Sequence, residues 1–505
     1  MTNPQRVVLN IVATYGKSLV ALVCGLFTAR WILEGLGSVG YGLVGVLVGM
    51  TGFVSVASSL LATALARFYA VALGRETGSK DAFVHEWFSA GVVSLFIIGT
   101  LMVVVGYPLG EFALRHWLTV PDVYVDSCLW SWRWCCIGCW FGMIATPWTA
   151  MFTAKQRIAE LSGYAVVAGL ANVVLAGWVA CRRGELISEY LFGLMSIGVL
   201  QNLAVIIQAQ AKFHECRGFA VEGLKRKIGE LLRYSAFNSV QATGWLLSNN
   251  GMAMLVNKLC GPVMNGSLTI SNSLKNHASQ LSTSLQGAFT PVIATAWGAG
   301  DEGVVRDLAL RVSKLAVVTI AIFALPLAIE AEDVLILWLK TPPDGCWELS
   351  LAAMAVLLAD AFGVGYRTAI YATGKIGRFA AYGESVLLFT LPLALLMWWC
   401  GLGVWAFGVS YLVVTVINVI ARLVFARRII GASLKTWCRE LVLPSCGVII
   451  ACVFAGLSVR QLFDSLWIRL LVTSAVVEIV LLLIAWTCVF SSAERTWVKG
   501  RQWRR

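Results

Sequence analysis

The sequence predicts an all-α, polytopic membrane protein: about fourteen transmembrane helices, in two pseudo-symmetric six-helix lobes plus two C-terminal helices. Three observations predict it. Only 13% of the 505 residues are charged and 59% are hydrophobic, whereas a soluble chain keeps roughly 25% charged to solvate its surface. Apolar runs long enough to cross a bilayer, about 18 residues or more, recur along nearly the whole chain. Two stretches 224 residues apart also share a pattern, which marks an internal repeat.

In chain order, the hydropathy places spans at 8–33, 41–66, 86–108, 127–151, 161–181, 186–209 and 234–257. Seven more follow at 267–292, 309–330, 347–372, 379–400, 404–425, 441–459 and 466–490. The first apolar run has no small-residue cleavage site and leads directly into a second span, so it reads as span one rather than a removable signal. The formal charge of +12 follows topology. With the N-terminus inside, most Lys and Arg fall on cytoplasmic segments, in clusters at 225–227, 427–439 and 495–505. That asymmetry is the positive-inside pattern. It predicts a multi-pass membrane protein with both termini cytoplasmic. The basic balance therefore reflects orientation, and no nucleic-acid-binding motif accompanies it.

The repeat rests on three matches in order. Gly37-Ser38-Val39-Gly40-Tyr41-Gly42 and Gly261-Pro262-Val263-Met264-Asn265-Gly266 both read Gly-x4-Gly. At the same offset, 67–74 maps onto 291–298, and 152–157 resembles 371–378 at an offset near 220. Six spans, an even number, separate the equivalents. The halves should thus share orientation about an axis along the membrane normal, with substrate expected where they meet. The domains read as an N-lobe at 1–209, a linker at 210–233, a C-lobe at 234–430 and an appended pair with a basic tail at 431–505. In the linker, Leu224, Ile228, Leu231 and Leu232 recur at helical spacing among Lys225, Arg226, Lys227 and Arg233. This is the pattern of a basic amphipathic helix on the inner leaflet, or of a solvated connection whose charges only obey topology.

Four spans carry polar faces. Span eight holds Lys275, Ser279, Ser282 and Gln286 on one stripe, widened by Asn272, Asn276, His277 and Gln280. Span seven places Asn238, Gln241 and Asn249 at helical spacing, span one Thr14, Lys17 and Thr28, and span two Thr51, Ser55, Ser59 and Thr63. Such faces are costly against lipid, so they turn toward other helices or a water-filled cavity. Hydroxyls alone could serve only to pack helices together, but Lys275 and the clustered amides go beyond packing. Cations and amides in a low-dielectric place suit a pyrophosphate. The candidate head-group residues are therefore Lys17, Arg30, Lys275, Asn238, Gln241, Asn249, Asn272, Asn276 and Ser279. Lys17, close to the inner surface, could instead snorkel, and Arg30 could anchor at the interface. Asp360 and Arg367 lie two helical turns apart in span ten and read as an ion pair; with Glu384 they are candidates for coupling to a proton or sodium gradient. Most of the fourteen cysteines fall within spans. The run Cys135-Cys136-x-x-Cys139 has no histidine beside it, so it reads as small apolar residues, with no metal or cofactor expected.

Thr28-Ala29-Arg30-Trp31-Ile32-Leu33-Glu34-Gly35-Leu36-Gly37 followed by Tyr41-Gly42 resembles the first-span signature of Wzx-type polysaccharide (O-antigen) flippases. Ala66-Arg67-Phe68-Tyr69 after span two, and Ala288-Phe289-Thr290-Pro291-Val292 after span eight, are similar to the same family. That family belongs to the multidrug/oligosaccharidyl-lipid/polysaccharide (MOP) exporter superfamily. The resemblance implies a V of two six-helix lobes, as in MATE and MurJ transporters, and movement of undecaprenyl-pyrophosphate-linked oligosaccharide across the inner membrane by alternating access. It further implies no catalytic residues and no cofactor. The expected partners are the lipid-linked oligosaccharide, membrane lipids and a polysaccharide polymerase or chain-length system, with the chain itself a monomer. Related peptidoglycan-precursor flippases use basic residues in spans one and eight, where Lys17, Arg30 and Lys275 lie here. The competing expectations are a MATE-type multidrug exporter, a lipid II flippase, or a membrane polymerase or ligase. The short outer loops, without paired carboxylates, disfavour the enzyme.

Overall fold

The computed structural model describes residues 3–73, 80–182, 184–218, 220, 223–374, 379–490 and 495. Within these, the side chains of 3–12, 15, 80–83, 236–242, 281, 284–285, 287–288, 291 and 380–381 lie outside the description. All regular structure among the described residues is helical. Sixteen α-helices follow in order. The first eight are α1 (Asn3–Leu73), α2 (Lys80–Phe112), α3 (Asp122–Ala154), α4 (Ile158–Arg182), α5 (Ile187–Lys212), α6 (Leu224–Leu246), α7 (Met252–Gly298) and α8 (Glu302–Ile329). The rest are α9 (Ala331–Leu339), α10 (Cys346–Ala361), α11 (Val364–Ala372), α12 (Thr390–Trp399), α13 (Trp405–Ile430), α14 (Leu434–Trp437), α15 (Leu443–Arg460) and α16 (Leu466–Ile484).

Two of these turn a corner within their length. The 71-residue α1 breaks at Gly37 (φ 72°, ψ 176°), and α7 breaks at Gly261 (φ 82°, ψ 179°). Both conformations lie in the positive-φ region that only glycine adopts freely. The breaks fall at equivalent positions of the 224-residue repeat, so the duplication is present in the backbone as well as in the sequence. The two corners touch. A Cβ on Gly42 would lie 1.7 Å from the Pro262 carbonyl oxygen, and one on Gly266 would lie 3.3 Å from that of Ser38. The Asn265 amide nitrogen donates to the Gly42 carbonyl at 2.8 Å.

Nine described helices are long and apolar enough to cross a membrane, or ten if α10 and α11, bent by 49°, form one broken span. The break in α1 divides one of these into two spans. The remaining crossings of the expected fourteen are the polar pair carried by α6 and α7 and the short apolar helix ending at Trp399. The segment 224–233, which reads from the sequence as a basic amphipathic helix or a solvated connection, is the helical start of α6. Its packing is specific. Leu231 is fully buried, and Lys227, 1% exposed, forms an ion pair with Glu86.

The contacts group the chain into two units, 1–269 and 270–505, with the boundary inside α7. In the first, α1 packs against α3 and α4 around Tyr69, Trp87, Phe88, Trp148 and Phe152. Phe68 stacks on Trp87 with ring centres 4.1 Å apart. In the second, α8, α10, α11 and α13 bury Val312, Met354, Tyr366 and Leu423. Gly365 lets α11 lie directly on α8, since a Cβ there would be 1.9 Å from the Ala309 carbonyl oxygen. The appended helices α15 and α16 pack on α8 through Leu325, Ile329, Val448, Val477 and Leu481. They are fastened at one end by Arg460 and Arg469, both paired with Glu330 and Asp333.

Candidate functional site

The second half of α7 carries the most polar face of the second unit. Lys275 is buried at 7% exposure, with its ammonium 4.3 Å from the centre of the Tyr411 ring. Asn276 and Gln280 are exposed on the same helix, while Asn272 and Ser279 are half-buried. Part of the expected wet face is spent locally. The hydroxyls of Ser279, Thr283 and Thr290 donate to carbonyls of their own helix. The Ser271 hydroxyl instead meets that of Ser350 on α10 at 3.0 Å. The same face also carries the Lys275 ammonium and the amides of Asn272, Asn276 and Gln280.

Behind Lys275 lies a charge cluster that the sequence reading assembled only in part. Arg422 on α13 is 3% exposed; its Nη1 lies 2.6 Å from Asp360 Oδ1 and its Nε 3.6 Å from Glu384 Oε1. Arg422, Arg367 and Lys275 all act electrostatically on Asp360. Three cations thus share one membrane-spanning bundle with two carboxylates. Ion pairing at this depth offsets a desolvation penalty that neither sign could bear alone.

The expected Asp360–Arg367 pair is corrected. Asp360 ends α10, and the 49° bend before α11 turns Arg367 off its face. Arg367 Nη2 instead donates to the Gln286 side-chain oxygen on α7 at 3.0 Å. Glu384, which had no evident partner in the sequence, is 2% exposed and faces Arg422. Arg422 lies three residues from the expected end of its span, 404–425, and was not among the sequence candidates. The missed signal was periodic: Tyr411, Thr415, Asn418 and Arg422 fall at i, i+4, i+7 and i+11, one face of α13. Thr415 and Asn418 are buried, and the Asn418 amide donates to the Gly383 carbonyl at 3.0 Å, fixing the turn that presents Glu384.

Other candidates belong to the first unit. Lys17 is half-buried in α1. Arg30 pairs with Glu34 one turn away on its own helix, at 3.3 Å and partly exposed, an arrangement that anchors a helix end. The Asn249 amide donates to the Trp245 carbonyl. The side chains of Asn238 and Gln241 lie outside the described residues. On α1, Ser55, Ser59 and Thr63 form an exposed stripe that ends at Arg67, whose guanidinium stacks over Tyr234 at 4.7 Å.

No family profile matches the sequence, and no curated protein matches it either. Solved structures do. The inward closed lipid II flippase MurJ superposes with a TM-score of 0.67 at 12% identity, covering 95% of this chain and 98% of that one. An inward-facing multidrug-resistance MATE transporter of the MOP superfamily gives 0.68 at 13% identity, covering 83% and 98%. The MATE multidrug transporter DinF-BH in complex with R6G gives 0.61 at 14%, covering 86% and 98%. The chain shares the fold of these structures.

Proposed function

We propose that this chain is a flippase that moves an undecaprenyl-pyrophosphate-linked oligosaccharide between the leaflets of the bacterial inner membrane, for cell-surface polysaccharide synthesis. The observation that carries the reading is the excess of cation in this charge cluster, where buried Lys275 and Arg422 and half-buried Arg367 outnumber Asp360 and Glu384. A polyanionic head group gains from such a place, where each charge-assisted contact is worth more than in water. Lys275 and Arg367, with the amides of Asn276 and Gln280 nearby, are the residues proposed to hold it. Lys17 and Arg30 are secondary candidates. Two further observations support the reading: the short motifs shared with Wzx-type flippases, and the reach of the MurJ superposition over 95% of the chain against 83–86% for the two MATE structures.

The alternative is multidrug export. It is disfavoured because Arg422 already engages both carboxylates that an organic cation would need. A lipid II flippase differs only in cargo, and the same assay separates the two. Purified protein in proteoliposomes should translocate a fluorescent undecaprenyl-pyrophosphate oligosaccharide, and Lys275→Ala should slow it about tenfold, the loss of one charge-assisted contact. Equal transport by Lys275→Ala would remove that residue from the site. Export of rhodamine-type cations without any lipid translocation would overturn the flippase reading.

A further inference from the structure

The first unit contains a second feature that the transport reading does not use. A pocket of about 540 Å³ lies between α1, α2, α3 and the start of α7, lined by Phe53, Leu101, Met102, Trp132, Cys139 and Met254 among others. No charged side chain lines it. Its polar groups are already engaged: the Thr51 hydroxyl donates to the Val48 carbonyl at 2.7 Å, and the Trp132 indole N–H to the Tyr107 carbonyl at 3.1 Å. Water held in such a cavity would need two to four polar partners, which the lining does not supply. An organic cation would find no acid.

The depth and the opening identify the occupant. The lining residues of α2 and α3 fall in the halves nearest the turn that joins these helices at 118–121. Leu101, Val105 and Leu109, which edge the pocket, are 60%, 48% and 61% exposed, in line with Ile97 and Val104 on the outer face of α2. The pocket therefore opens onto the lipid-facing surface of a transmembrane helix, in the leaflet opposite the termini. We infer that it binds one acyl chain of a bilayer phospholipid, entering sideways from that leaflet. Size favours this over the cargo's own tail. At roughly 30 Å³ for each water-sized group the pocket takes about eighteen, one long acyl chain, and falls far short of the about fifty-five carbons of an undecaprenyl tail. Gly110 closes one wall, since a Cβ there would lie 2.3 Å from the Trp132 ring, whereas a Cβ on Gly106, which also lines the pocket, meets nothing within 4 Å. The site stands independently of the cargo assignment.

The test places full-length protein in nanodiscs of phosphatidylethanolamine and phosphatidylglycerol that carry a diazirine near the end of one acyl chain. After irradiation, the cross-links are mapped by mass spectrometry. Expected are adducts on Phe53, Met102 and Cys139, reduced at least tenfold in Gly106→Phe, which fills the pocket, and retained in Gly106→Ala. Adducts confined to Leu101, Val104 and Leu109, and unchanged by Gly106→Phe, would overturn the proposal. So would displacement of the acyl label by an equimolar diazirine-free undecaprenyl phosphate, which would give the pocket to the carrier tail. Should Gly106→Phe fail to fold, the wild-type map decides, together with the rate at which N-ethylmaleimide reacts with Cys139. That rate should rise severalfold when lipid is stripped in detergent, and an unchanged rate counts against the occupant.

Discussion

Arg422 is held within the bilayer by two carboxylates on different helices, Asp360 at 2.6 Å and Glu384 at 3.6 Å. Removing only the cation leaves buried Glu384 and half-buried Asp360 without their partner, and breaking a buried pair costs about 3–5 kcal/mol. Arg422→Met should therefore lower the melting temperature in detergent markedly. The triple variant Asp360→Asn, Glu384→Gln, Arg422→Met should recover most of it, because no unpaired charge remains. If the triple variant melts like wild type and still transports, the cluster is structural only. A different pair is open to titration outside the spans. Burial opposes ionisation of Glu215, but the Lys155 ammonium, at 2.6 and 2.7 Å from its two oxygens, outweighs this and lowers its pKa below the usual 4.5. A depressed acid stabilises the fold at every pH above its unfolded value and loses that contribution as the pH falls through the folded value. Melting of wild type and Glu215→Gln should thus differ by a constant amount at neutral pH and converge only below the ordinary carboxylate range. A gap that closed already near neutral pH would overturn the assignment to the Lys155–Glu215 pair.

The elements owe their placement to a few glycines, and there the sequence was most legible. The Gly-x4-Gly pattern located both corners, Gly37 and Gly261, because only glycine occupies their positive φ without strain. The corners are not equally tight. Gly42→Ala sets a Cβ against the Pro262 carbonyl, a backbone atom that cannot move aside, whereas the same change at Gly266 meets the Ser38 carbonyl at 3.3 Å. Gly42→Ala should cost about 1–3 kcal/mol, the usual price of overpacking, and Gly266→Ala clearly less. Chemical denaturation of both variants checks the order, and equal losses would mean that the corner relaxes. Periodicity was a poorer guide wherever a helix is not continuous. Asp360 and Arg367 share a face only on an unbroken helix, and the bend between α10 and α11 separates them. The polar stripe on span eight was legible as a pattern, but which hydroxyls turn back onto their own carbonyls depends on rotamers that no spacing reveals. Arg422 was hidden for another reason. A cation near a span's end normally snorkels to the interface, and only the packing of α13 against the turn at Glu384 makes it a buried one.

At the scale of the whole chain, fourteen crossings put both termini on one side, and the count is weakest at 379–399. Only 16 residues there, Glu384–Trp399, form an apolar helix. At 1.5 Å per residue they would reach about 24 Å, short of a hydrocarbon core of about 30 Å. The structure supplies the difference. Residues Glu384–Phe389 wind as a 3-10 helix, which rises about 2.0 Å per residue and so contributes about 12 Å. The ten residues of α12 add about 15 Å, and the turn at Phe379–Gly383 precedes both. The segment is long enough to cross. If it did not, every later loop would invert, and the cluster Arg427, Arg428, Lys435 and Arg439 would face outward, against the positive-inside rule. Alkaline phosphatase inserted at Gly401–Gly403, in a bacterial host, should therefore be active, while a fusion at the C-terminus should be inactive. An inactive enzyme at Gly401–Gly403 with an active C-terminal fusion would reduce the count to thirteen and turn α13, with Arg422, upside down relative to α10. Asp360 and Glu384 could then not both reach Arg422, so this one topology measurement also tests the charge cluster on which the proposed function rests.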